Sequence, residues 1–100
     1  MQYSLFADRA ALEALCHRYG ICRLSLFGSV LKGTARRDSD VDLLVEFEPG
    51  QEPGLFKLAD IEAELSALLG GRQVDLRTPA DLSSRFRTEV LRTADEQYAA

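Results

Sequence analysis

Two aspartates one residue apart, Asp40 and Asp42, open an apolar run that continues to Phe47. Side chains two apart on a strand point to the same face, so the two carboxylates stand together. Carboxylates set side by side at the start of a buried strand repel each other and are costly to desolvate. A divalent cation between them reverses that sign. Mg²⁺ is commonly held by one or two carboxylates plus the phosphates of a substrate. Asp-x-Asp therefore reads as a metal clamp for a nucleotide, the plain structural alternative being two solvated aspartates at a loop-to-strand junction.

Upstream, Gly28-Ser29 follows another apolar run. A glycine there lets a phosphate approach the backbone. A helix starting at Ser29 would offer free N–H groups, the positive end of its dipole and a hydroxyl donor. An N-cap serine after a glycine turn is the simpler reading of the same two residues. Lys32 is followed by Gly33 rather than by Ser or Thr, so this is not a Walker A loop. The polar stretch Thr34 to Ser39 carries Arg36 and Arg37, which suit either phosphate binding or solvent.

The elements that must position these residues follow from periodicity. Residues 5–19 read as a helix with Leu5, Leu12, Leu15, Cys16 and Tyr19 at helical spacing and Gly20 as its stop. Residues 21–27 read as a strand with Cys22, Leu24 and Leu26 on one face. A short helix is expected from Gly28 to about Leu31. Residues 40–47 form the next strand, with Val41, Leu43, Val45 and Phe47 opposite the aspartates. A turn-rich loop, Glu48 to Gly54, leads to the clearest helix, residues 55–69, whose Leu55, Leu58, Ile61, Leu65, Leu68 and Leu69 recur at three and four. Residues 72–77 read as a strand containing Asp75, unremarkable by spacing alone. A last helix is expected over about 81–93, with Leu82, Phe86, Val90 and Leu91 on one side and Arg85, Arg87 and Arg92 making that end basic. Residues 95–100 read as a frayed tail.

The fold class expected is α/β (α+β): a small mixed sheet of three or four strands flanked by about four helices, in one domain over residues 1–100. The net charge of −4 argues against a general nucleic-acid binder. No apolar run is long enough to cross a membrane, and the N-terminus lacks signal-peptide character, so a cytoplasmic location is expected. Cys16 and Cys22 lack metal-type spacing and read as free thiols, and a lone His17 excludes a multi-histidine metal site.

Gly28-Ser29, ten intervening residues, then Asp40-x-Asp42-Leu-Leu-Val and an acidic Pro/Gly-rich loop resemble the signature of the DNA polymerase β-like nucleotidyltransferase superfamily. From about residue 5 to 95 the chain is similar to its smallest members, the minimal nucleotidyltransferases (MntA-type antitoxins paired with HEPN-domain toxins). The resemblance implies that Asp75 is a third carboxylate, that Asp40, Asp42 and Asp75 are catalytic and hold two Mg²⁺ ions, and that Gly28, Ser29 and Lys32 bind the nucleotide. Val30 stands where many members have arginine, which puts that residue's contact in doubt. The implied reaction transfers AMP from ATP to a hydroxyl of a partner protein, a tyrosine of a HEPN-domain toxin. Two other functions stay open. One is an antitoxin that masks its toxin by contact; the other is a transferase acting on a small-molecule hydroxyl. A homodimer or a hetero-oligomer with the toxin is compatible with the resemblance.

Overall fold

The computed structural model describes residues 5–28 and 40–100. Within them the first helix is α1, Arg9–Tyr19. Asp8 caps it, its side chain accepting from the Ala11 N–H at 3.0 Å. Gly20, in the left-handed region at φ 71°, terminates it and turns the chain straight into strand β1, Ile21–Phe27. Strand β2, Val41–Phe47, lies antiparallel to β1. Helix α2, Leu55–Leu68, crosses back over the sheet so that β3, Val74–Arg77, runs parallel to β2. A 3₁₀ turn over Pro79–Asp81 precedes α3, Ser84–Thr93, and the chain closes on β4, Asp95–Ala99. The strand order is β3-β2-β1-β4.

Both faces of the sheet are covered, which is why β2 is apolar on both sides. Leu24, Leu26, Val41, Leu43 and Val45 point toward α1 and α2 and form the main core with Leu12, Leu15, Cys16, Ile61 and Leu65. Phe27 and Leu44 point the other way and pack with Leu82 and Val90. The short helix expected after Gly28 lies outside the described residues. Among these, three α-helices and one 3₁₀ turn flank four strands.

Several expectations are corrected. The 95–100 segment is not a frayed tail. Its strand β4 pairs antiparallel with β1. The Ala100 N–H donates to the Cys22 carbonyl at 2.9 Å, and the Gln97 side chain, 1% exposed, accepts from the Leu5 N–H. The unpaired edge of β1 supplies the driving force, since its backbone groups need partners. In β1 a register shift between Ile21 and Arg23 puts Ile21 into the core and leaves Cys22 half-buried, against plain alternation. Leu55 opens α2 in solvent instead of in its apolar stripe, as does Phe56. Leu82 precedes α3 rather than belonging to it, and Phe86 and Leu91 are about half-exposed. Arg87 is not part of a solvated basic face. Its guanidinium donates to the carbonyls of Pro79 and Leu82 at 2.6 and 3.1 Å, tying α3 to the 3₁₀ turn.

Candidate active site

Three chain segments meet at one end of the sheet: the C-terminal end of β1 and the N-terminal ends of β2 and β3. The register puts Phe27 beside Asp42, and Asp42 beside Asp75 on the parallel neighbour. The backbone bond from the Val41 N–H to the Gln73 carbonyl, 2.8 Å, extends this pairing past the strand starts and pins it. Period-two alternation then sends Asp42, Asp75 and Arg77 to the α3 side of the sheet. Asp40 sits just ahead of β2 and is exposed.

Gly28 makes the arrangement sterically possible. It has φ +80°, and a Cβ built on it would stand 2.1 Å from Asp42 Oδ2 and 2.9 Å from its Cγ. The backbone of β1's end thus lies directly against the Asp42 carboxylate, and only glycine fits both the conformation and the space. Ser29 and Lys32, expected to bind the nucleotide, lie outside the described residues, as do Arg36 and Arg37.

Asp42 is only partly buried, yet its carboxyl is pushed up from the usual range. Burial is the largest cause; the negative charges of Asp75 and Asp40 follow, and Arg77 offsets part of it. Asp75 in turn accepts from Arg77, from Nε at 3.2 Å and from Nη2 at 3.3 Å. Asp81 is held below the usual carboxylate range by the backbone N–H and the hydroxyl of Thr78.

A cleft of 680 Å³ opens over these groups. One wall is acidic, with Asp42, Asp75 and Asp81. The other is mostly apolar, with Phe27 from β1, Leu82 ahead of α3 and Phe86 and Val90 on α3, beside Glu89 of the same helix. Phe86 meets Phe27 edge-on, with centroids 6.5 Å apart. Sequence reasoning missed Arg77, Phe27 and Phe86 as parts of this cleft. For Arg77 the signal was present, since it stands two residues after Asp75 on the same face.

The structure therefore brings Gly28, Asp42 and Asp75 together. Among the described residues no group of three or more His, Cys, Asp or Glu side chains converges as a finished metal site. The donor set nevertheless fits a hard divalent cation. Its ligands are carboxylate oxygens, and it carries excess negative charge, which adds to burial, the larger cause, in raising Asp42. Asp42 and Asp75 would hold the ion, with Asp40 at the rim.

The chain and its fold have counterparts among known proteins. The family described as nucleotidyltransferase domain matches residues 9–96. A protein of Thermococcus cleftensis named protein adenylyltransferase MntA is 45% identical over 80 residues, 80% of this chain and 78% of that protein. A solved structure described as a minimal nucleotidyltransferase superposes with a TM-score of 0.72 at 45% identity, covering 88% of this chain and 87% of the other. A toxin-antitoxin crystal structure with AMP-PNP shares the fold, with a TM-score of 0.70 at 20% identity over 93% of this chain and 74% of its own. No helix among the described residues is long and apolar enough to cross a membrane.

Proposed function

This chain belongs to the nucleotidyltransferase domain family, and from that premise we propose that it moves AMP from ATP onto a hydroxyl of a partner protein, a tyrosine of a HEPN-domain toxin, and so acts as the antitoxin of a pair. The observation that carries the reading is the in-register placement of Asp42 beside Asp75, with Gly28 against the Asp42 carboxylate. The relative named protein adenylyltransferase supports the group transferred and the class of acceptor.

The chain's own residues supply position and charge. Gly28 leaves the backbone open to the triphosphate, and Ser29 and Lys32 complete its anchorage. Asp42 and Asp75, with Asp40 at the rim, would hold Mg²⁺, which when bound would supply neutralisation of the phosphate charge and a lowered pKa for the acceptor hydroxyl. The acceptor oxygen forms a bond to the α-phosphorus, the bridge to the β-phosphate breaks, and pyrophosphate leaves. The hydroxyl's proton passes to the carboxylate cluster, with Asp75 as its acceptor. Catalysis by positioning and electrostatics is sufficient for this chemistry.

The test is the intact mass of the cognate HEPN partner after incubation with this protein, ATP and Mg²⁺, beside a reaction with Asp40→Asn and Asp42→Asn together. Added AMP with the native chain and none with the double variant is the expected result. An unchanged mass within a stable complex would replace the reading with masking by contact.

A further inference from the structure

The acidic wall of the cleft carries a cation of its own. Both carboxylate oxygens of Asp75 accept from the Arg77 guanidinium, Oδ1 from Nε at 3.2 Å and Oδ2 from Nη2 at 3.3 Å. This is the two-pronged geometry in which arginine binds carboxylates best. Strand alternation fixes the pair, because Asp75 and Arg77 are two apart on β3. Across the parallel register Asp75 meets Asp42, and Arg77 meets the fully buried Leu44. The guanidinium lies close enough to Asp81 and Asp42 to feel both charges. Its side chain is 49% exposed, so it is free to swing toward solvent if its hold on Asp75 is broken.

We propose that Arg77 is the resident countercation of the Asp42–Asp75 pair, and that a divalent cation must displace it from Asp75 in order to bind. The proposal rests on the reading of Asp42 and Asp75 as metal-holding residues. One guanidinium carries a single charge against two carboxylates, and it is spread over a planar group. A divalent ion brings twice the charge in a smaller volume and takes over the same oxygens. Arg77 is thus a positioning residue. In the metal-free protein it keeps Asp75 from being driven off by Asp42, and it sets the concentration at which the metal enters.

The experiment measures Mn²⁺ binding, by loss of the free-ion paramagnetic resonance signal, to the full chain without nucleotide. Arg77→Gln should bind Mn²⁺ about threefold to fivefold more tightly than the native chain, the size of a half-exposed ion pair removed from competition. Arg77→Lys, which keeps the charge and loses the fork, should fall between them, and it carries the comparison if the glutamine variant folds poorly. On an Asp75→Asn background the Arg77→Gln change should tighten binding by no more than about twofold, the residual effect of its charge on Asp42. Arg85→Gln, with the same change in net charge on an exposed helix position, should leave the affinity within about twofold of native. Equal or weaker Mn²⁺ binding by Arg77→Gln, or equal tightening by Arg85→Gln, overturns the proposal while leaving the metal-holding reading intact. Failure of the native chain itself to bind Mn²⁺ overturns both.

Discussion

At the scale of single residues the site turns on Gly28 and Asp42, which constrain each other. A Gly28→Ala side chain meets two penalties at once. The left-handed backbone costs an L-residue about 1–2 kcal/mol, and the new Cβ would stand 2.1 Å from Asp42 Oδ2. The variant should lose about 2 kcal/mol of stability by urea denaturation and about 100-fold in kcat/KM, the cost of displacing a site group by an ångström. Asp42 gives a pH signature of its own. Its folded-state pKa is raised, chiefly by burial and then by Asp75 and Asp40. The folded chain therefore binds more protons than the unfolded one between the ordinary carboxylate range and the raised value. Stability falls as pH rises through that window and is level above it. In EDTA, Asp42→Asn should melt above the native chain at pH 7 and lose that advantage below about pH 4, where both states of the native carboxyl are protonated. Cys16 provides a contrast without function. Burial pushes its thiol up to about 12, so alkylation of the folded chain at neutral pH should leave it unmodified by mass analysis.

At the scale of elements, what was legible depended on whether a signal was local. Asp40-x-Asp42 was readable because two-residue alternation is built into any strand, and the Gly28 turn because φ > 0 has a residue preference; Asp75 was unremarkable by spacing and was singled out only by the family resemblance. The pairing that brings Asp42 beside Asp75 is made by the α2 crossover, which no local pattern encodes. β4 was missed for the same reason. Residues 95–99 carry no apolar alternation, and they form a strand because the edge of β1 is free to be paired. The exposed Leu55 was misread because helical spacing says which residues share a face but not how far the covering sheet extends. Two predictions follow from packing between elements. Tyr98, 7% exposed on β4, joins the main core, and Tyr98→Ala should cost about 3 kcal/mol in chemical denaturation. Phe86 touches Phe27 from a half-exposed position. Phe86→Ala should cost only about 1 kcal/mol while measurably raising the KM for a ligand of the cleft, which separates a binding wall from a core residue.

At the scale of the whole molecule, charge poses the remaining problem. The chain carries −4 overall, and the described wall of the cleft sets Asp42, Asp75 and Asp81 against Arg77. ATP is itself a polyanion. Two like charges about 4 Å apart repel by about 1 kcal/mol in water and by more near a protein surface. On the proposed function, a free triphosphate is therefore opposed by the same carboxylates that would position it. The cation reconciles them, since each side lacks what it brings. Nucleotide and metal should then bind as a unit, each raising the affinity for the other by the same factor. By calorimetry, affinity for ATP should drop at least about tenfold when Mg²⁺ is replaced by EDTA, the ratio corresponding to 1.4 kcal/mol. Asp42→Asn should narrow that ratio from both ends, weakening the magnesium complex and relieving the repulsion of free ATP. A ratio unchanged by Asp42→Asn would mean that the nucleotide binds through basic residues away from this wall, and that the carboxylate pair serves another purpose.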